Sequence, residues 1–393
     1  MIERNFSVPA GHKNNFDFLR LIFSILVVYT HGYVIYYGAG IFFKKEPLLF
    51  LTGNQCSFGT LAVDFFFIIS GYLVLQSLSN SKTYFSFIKK RVLRIHPGFI
   101  AAYVFGIFLV IPFSNGIPAG GWRYVIEYWK AVDIGYFTYT AVTLNFPDWI
   151  PGIFIPSTNP SDLNTSMWTI PYEFSCYIFL MVLGLFRVFK LHRSIPLILF
   201  LVVLIMNIIQ HAVTLKMIAP LPFTDVIASY FRPETVKKFL TMQNFALFFL
   251  AGSCFYYYRN SIPSSKKLFT FCILMLTVGM FWTEFFEIFV AVFGTYLLFY
   301  FAFSKRIKLT NAAKYGDLSY GIYLYGWPVQ QLVMVYLGDK LNFWGSLGVS
   351  FLFIIPLAFA SWYLVEKPVL VLKNKSFDFG IYNRVAQTFK KLS

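Results

Sequence analysis

The sequence predicts an all-α polytopic membrane protein with ten transmembrane helices and both termini in the cytoplasm. Three observations predict it. Hydrophobic residues fill 58% of the 393 positions and charged residues only 13%, about half the share of a soluble domain. Stretches of roughly 20 mostly apolar residues, the length that crosses a bilayer, recur along the chain. The formal charge is nonetheless +16, and the basic residues fall on alternate loops, as the positive-inside rule requires. The apolar share excludes a soluble enzyme. A nucleic-acid binder needs a polar basic surface, so no nucleic-acid partner is expected.

The spans read in order are 18–38, 58–78, 97–113, 168–187, 194–213, 239–258, 267–283, 285–303, 316–338 and 343–364. A polar start (Arg4, His12, Lys13, Asn14, Asn15) precedes the first, and no small-residue cleavage site follows it. That span is therefore retained rather than removed as a signal peptide. The stretch 122–147 carries Arg123, Glu127, Lys130 and Asp133. Charges near the bilayer centre cost about 2.5–3.5 kcal/mol each, so this stretch is expected on the surface or partly re-entrant. It sits in the largest outer loop, 114–167, which is rich in Pro, Gly, Ser and Asn. Residues 1–370 then form one transmembrane domain, and 371–393 a basic cytoplasmic tail.

Charge tests this topology. With the N-terminus inside, 24 of the 33 Lys and Arg lie on the inner side, including Arg20, the run Lys89–Arg94, Lys190, Arg193, Lys305 and the tail. Only nine lie outside, and a further crossing at 122–147 would move most later basic loops outward. Cys56, Cys176, Cys254 and Cys272 show no metal-ligand spacing. They read as packing residues, and no metal is expected.

Ionisable side chains inside apolar spans are functional candidates by default. His31, Asp64 and Glu173 are three such groups. At a helical rise of about 1.5 Å per residue, each lies roughly 20 Å from the inner end of its span. Three spans thus place a His and two carboxylates at one level, a plausible acid–base constellation. The plainer alternative for His31 is a buried ring satisfied by one structural bond. His12, His96, His192 and His211 read as interfacial or structural. Pro171, two residues before Glu173, is expected to free a carbonyl and kink the span.

On the inner side, Arg91 and Arg94 share a helix face, and Arg20 stands just within the first span. Guanidinium groups bind phosphate bidentately, so the three suit a phosphate pocket. The lysines beside them read rather as anchors to anionic lipid. An Arg inside a span needs a partner, and Asp317 and Glu366 are the candidates. Arg20 and His31 are eleven residues apart, about 17 Å and close to three turns, so they point roughly the same way. A ligand with phosphates inside and a long thin arm toward His31 fits, and coenzyme A has that shape. From the residues alone, a transporter or flippase for a lipid-linked saccharide fits as well, with His31, Asp64 and Glu173 as a proton relay.

Six motifs in order resemble the membrane acyltransferase-3 family. They are Arg20-x10-His31, Asp64-Phe-Phe-Phe-Ile-Ile-Ser70-Gly71, Arg91-x-x-Arg94, Trp168-Thr-Ile-Pro-Tyr-Glu173, Ser319-Tyr-Gly-Ile-Tyr-Leu-Tyr325-x-x-Pro328 and Glu366-Lys-Pro368. The resemblance covers about residues 12–370. It implies ten helices in a bacterial cytoplasmic membrane and O-acylation of a cell-surface or lipid-linked polysaccharide. It implies an acyl-CoA donor, commonly acetyl-CoA, with Arg20 and His31 as the essential pair and Arg91 and Arg94 on the inner side. One departure is Gly326, where many relatives have His. On this basis Arg20, Arg91 and Arg94 hold the coenzyme phosphates. His31 takes a proton from a sugar hydroxyl or carries the acyl group itself, and Asp64 or Glu173 orients the imidazole. Ser70, Ser166 and Tyr172 are candidate oxyanion donors. The aromatics of 114–167 bind sugar or form an interfacial belt.

Overall fold

A computed structural model of the chain describes residues 4–5, 14–118, 121–147, 150–155, 157–158, 161–188, 192, 194–217, 230–282, 285–304 and 306–374. His12, Lys13, Lys190, Arg193 and Lys305, and the tail from 375 onward, lie outside the described residues. The described chain is almost wholly helical. Its strands are a two-residue antiparallel pairing, Arg4 opposite Ser264 and Asn5 opposite Pro263.

In order, the helices are α1 (Phe16–Tyr37), the short α2 (Ala39–Lys45) and α3 (Pro47–Leu51), and α4 (Phe58–Ser79). Next comes α5 (Tyr84–Phe105), which continues through a π turn at Gly106–Val110 and a 3-10 turn at Ile111–Phe113. Then follow α6 (Gly121–Ala131), α7 (Ile134–Thr143), α8 (Ile170–Leu185), α9 (Ile195–Thr214) and α10 (Pro233–Tyr258). The last are α11 (Lys266–Phe281), α12 (Phe286–Ala302), α13 (Ser319–Leu337) and α14 (Phe343–Val371). Among the described residues, seven helical segments are long and apolar enough to cross a membrane: α1, α4, α5 with its continuation to Phe113, α8 with the 3-10 turn before it (Thr165–Leu185), α9, α10 and α14. The other three predicted spans are helical too. α11 has 16 residues, and α12 is a shorter apolar helix with a π turn at Val290–Gly294. The 19-residue α13 carries Gln330 and Gln331, which lower its hydropathy. It is the buried centre of the bundle and has little need of a lipid-facing surface.

The packing follows from small residues. α4 and α10 touch backbone to backbone, because a Cβ on Gly71 would overlap the Phe249 carbonyl and one on Gly252 the Ile68 carbonyl. Beside that seam Phe67 stacks on Phe245 at 4.2 Å. α1 packs on α4 and α13, and α13 on α14. The loops sort to two ends. Segments read as inner meet each other: Asn15 binds the Phe301 and Ile307 carbonyls, Arg4 pairs with Ser264, and the Tyr84 hydroxyl binds the Gly184 carbonyl. Segments read as outer also meet: Gln55 with Met280 and Phe286, Tyr36 with Leu341, Tyr336 with Phe113.

The stretch 122–147 makes two short helices. α7 runs down beside α5, where Phe137 stacks on Tyr103 at 4.7 Å and His96 Nε2 donates to the Val142 carbonyl at 3.3 Å. Residue 96 is 17 positions from the end of the α5 segment at Phe113, about 25 Å along it, so α7 reaches far along the length of that segment. Pro171 does not kink a span. It lies in the first turn of α8, where its missing N–H has no intrahelical partner to lose.

Candidate active site

Two cavities among the described residues hold the residues singled out from the sequence. The smaller, about 130 Å³, is lined by Arg20 of α1, Ser70 of α4, Arg91 and Arg94 of α5, and Glu173 and Tyr177 of α8. The larger, about 630 Å³, is lined by His31, Asp64, Ser166 and Trp168, among others. Val63 and Tyr323 line both and stand where the two approach. Tyr323 is held there by a 2.6 Å hydrogen bond with the Thr169 hydroxyl.

Asp317 organises the arginine cavity from just before α13. One of its carboxylate oxygens accepts from Arg20 and, at 2.5 Å, from Arg94. The other accepts from the Ser319 hydroxyl at 2.6 Å. Burial by itself would raise this carboxyl. The Arg20 and Arg94 guanidiniums outweigh that and hold it well below the usual carboxylate range. Arg91 has no carboxylate partner among the described residues. Its guanidinium reaches Ser77 at 3.3 Å and lies 5.8 Å from the Tyr177 ring centre. Glu366, the second expected partner of Arg20, accepts from Ser361 at 3.0 Å at the end of a π turn in α14.

The structure separates the three residues read at one depth. Glu173 does not reach the cavity of His31. It accepts from Ser70 at 2.9 Å and from the Tyr177 hydroxyl. Ser70 is six residues inward of Asp64 on α4, about 9 Å, so Glu173 sits nearly two turns below Asp64. The α-helix holding it starts only at Ile170, after a 3-10 turn at Thr165–Thr169, and ends at Leu185. Counting residues in straight helices from assumed ends missed this offset.

His31 and Asp64 share the larger cavity, but no hydrogen bond joins them among the described residues. His31 Nδ1 and Asp64 Oδ2 are both buried with no partner among the described residues. The imidazole instead meets the Trp327 ring at a right angle, ring centres 5.0 Å apart, and the Trp327 indole N–H donates to the Asp162 carbonyl at 2.8 Å. Of the three candidate oxyanion donors, Ser166 lines the cavity of His31 and its hydroxyl has no partner among the described residues. Ser70 lines the arginine cavity. Gly326 faces α1 closely, since a Cβ there would stand 2.6 Å from Val28 Cγ2.

Trp327 and three polar residues that line the cavity of His31, Asn207, Asn244 and Glu287, were not singled out from sequence. The available signal was the pair of Asn residues inside apolar spans.

An acyltransferase domain family, of the acyltransferase-3 type, matches residues 13–365. A protein named O-acetyl transferase from Shigella phage Sf6 is 28% identical over 369 residues, covering 91% of this chain and 97% of that one. Nodulation protein 10 of Rhizobium leguminosarum bv. viciae is 29% identical over 184 residues, 46% of this chain and 47% of its own length. No solved structure matches significantly. The chain belongs to the acyltransferase-3 family, as a multi-pass membrane O-acyltransferase.

Proposed function

We propose that the protein transfers an acyl group, most readily acetyl, from cytoplasmic acyl-CoA to a hydroxyl of a cell-surface or lipid-linked polysaccharide outside a bacterial inner membrane. The transmembrane domain is residues 1–370, crossing ten times with both termini cytoplasmic, and 371–393 is a basic tail. The contacts among loops of the same end support the alternation of crossings, and the excess of Lys and Arg in the inner loops supports the sidedness.

One observation carries the reading: a single helix, α1, brings Arg20 into one cavity and His31 into the other. Arg20, Arg91 and Arg94 hold the coenzyme phosphates, and the thin arm threads past Val63 and Tyr323 toward His31. His31 takes the proton of the sugar hydroxyl as that oxygen attacks the thioester carbonyl. The carbon–sulfur bond then breaks, and the imidazolium returns the proton to the leaving thiolate. Asp64 steadies the imidazolium through space, and Ser166 is placed to donate to the tetrahedral oxyanion. Glu173 positions Ser70 and Tyr177 along the arm.

The test is transfer of label from radioactive acetyl-CoA to a lipid-linked glycan by purified protein. Label that moves in wild type and not in His31→Ala supports the reading. Transfer that survives the substitution overturns the role of His31.

A further inference from the structure

The inner side has too little positive charge in the arginine cavity for the donor it is to hold. Three guanidiniums, Arg20, Arg91 and Arg94, stand there with two carboxylates, Asp317 and Glu173, which leaves one net positive charge. Coenzyme A carries about four negative charges at neutral pH, about two on its diphosphate and about two on the 3′-phosphate monoester of the same ribose. Because both groups hang on one ribose, cations for the monoester must adjoin those for the diphosphate.

Two lysines stand in that place. Lys90 precedes Arg91 on α5 and lies one turn inward of Arg94, about 6 Å along the helix and on the same face. Its Nζ donates to Ser81 Oγ at 3.3 Å. Lys373 belongs to the 3-10 turn Leu372–Asn374, which follows α14 and packs on α5. Both lysines are half-buried, and neither pairs with a carboxylate among the described residues. Burial, and then the charges of Arg91, Lys90 and Arg94, hold the Lys373 ammonium below its ordinary value. Like charges drawn together without a counter-ion repel one another, and a bound anion relieves that repulsion. A phosphate monoester suits this place, with about two charges and three acceptor oxygens for ammonium donors on flexible stems.

We infer that Lys90 and Lys373 form a second phosphate site beside the arginine cavity on its inner side, which takes the 3′-phosphate of the acyl-coenzyme A and leaves the diphosphate to Arg20, Arg91 and Arg94. This rests on the acyl-CoA reading above. The two lysines are specificity determinants for the donor. They tell coenzyme A from its 3′-dephospho form and take no part in the transfer step. An anionic lipid headgroup brings a phosphate of similar chemistry, and the experiment separates the two sources.

The full chain in neutral detergent is titrated calorimetrically with non-hydrolysable thioether analogues of acetyl-CoA and of acetyl-3′-dephospho-CoA. The series is repeated in nanodiscs with and without phosphatidylglycerol. Wild type is expected to bind the first analogue about tenfold or more tightly than the second, because the missing group made charge-assisted bonds. Lys373→Gln and Lys90→Gln should each narrow that ratio by about threefold or more, with affinity for the dephospho analogue held within about twofold. Lys373→Arg should keep most of the ratio, and Arg20→Ala should weaken both analogues alike. Lys267→Gln, at the exposed inner start of α11, controls for general surface charge and should leave the ratio unchanged. Equal affinity of wild type for the two analogues, or a ratio that survives both lysine substitutions, overturns the inference and leaves the acyl-CoA reading intact. A ratio lowered as much by Lys267→Gln does the same. Lysine variants that lose phosphatidylglycerol and keep the ratio mark a lipid site, which also overturns it. Binding of neither analogue to wild type overturns the acyl-CoA reading, and this inference with it.

Discussion

The Ser70 hydroxyl donates to Glu173 Oε1 at 2.9 Å, and this bond holds Glu173 on the arginine side of the bundle. Tyr177 donates to the same oxygen. Glu173→Ala takes the acceptor from two hydroxyls; these stand 3.0 Å apart and can bond each other, so one is left short in a low-dielectric cavity, at about 1–3 kcal/mol. The KM for acyl-CoA should rise by about tenfold or more, with the acceptor KM within about twofold. Initial rates with each substrate varied in turn check this. A change confined to the acceptor KM would return Glu173 to the side of His31.

Asp317 anchors two arginines that come from different helices. Asp317→Asn removes the carboxylate that Arg20 and Arg94 share, leaving Arg20 only its longer 3.4 Å pair with Asp17, and should cost about 3 kcal/mol of stability. Its folded carboxyl lies below the unfolded value, so its stabilisation is fully present above the ordinary carboxylate range near about 3.9. It is lost progressively as pH falls from there through the depressed folded value. Wild type should therefore melt above the variant throughout about pH 8 to about pH 5 in detergent. A gap that closes within that window would contradict the pairing.

Much of this was legible in the sequence, and the reasons differ by residue. Helices stand at all ten predicted spans because apolar runs and polar breaks mark lengths well. Asp317 was a readable partner for Arg20, because a charge within a span demands one near its own end. Its second partner, Arg94, needed the packing of α5 against α13. The depth of Glu173 was not legible, because a 3-10 turn and helix tilt shift levels without changing residue counts. The polar lining that α9, α10 and α12 give the cavity of His31 was hidden for another reason. Asn207 and Asn244 are single polar residues in apolar helices, and only the fold shows that they face one cavity.

The closest backbone approach predicts the most sensitive glycines. A methyl group at Gly71 meets the Phe249 carbonyl, and one at Gly252 meets the Ile68 carbonyl, with no flexible side chain to yield. Either Gly→Ala change should cost about 2–3 kcal/mol, and Gly→Val more, by forcing α4 and α10 apart. Gly348, whose Cβ would meet nothing within 4 Å, should tolerate Ala with little change. Thermal stability and monodisperse yield of the three Ala variants compare these sites directly.

Gly326 fits against Val28 too closely for a side chain. Gly326→His should therefore destabilise this chain by about 2 kcal/mol or more, although the imidazole suits many relatives. Val28→Ala removes the colliding methyl groups and should recover part of that loss. A double-mutant cycle measures the recovery as a coupling of about 1 kcal/mol, and strict additivity would mean that the clash is relieved elsewhere.

The two cavities make His31 and Arg20 separable in kinetics. His31 is fixed by ring contact with Trp327 and shares no cavity with the arginines. Loss of a positioned proton acceptor lowers turnover by about 10²–10⁴-fold, so His31→Ala should lose acyl transfer to that extent. Coenzyme binding should stay within about twofold, because its phosphates meet Arg20, Arg91 and Arg94. Arg20→Ala should do the reverse, weakening coenzyme binding by about tenfold or more while the acceptor KM holds. Calorimetric titration of each variant with a non-hydrolysable acyl-CoA analogue, beside transfer kinetics, reads both quantities. If His31→Ala weakened the coenzyme as strongly as Arg20→Ala, the arm would already reach the imidazole in the resting complex, and the cavities would act as one continuous channel.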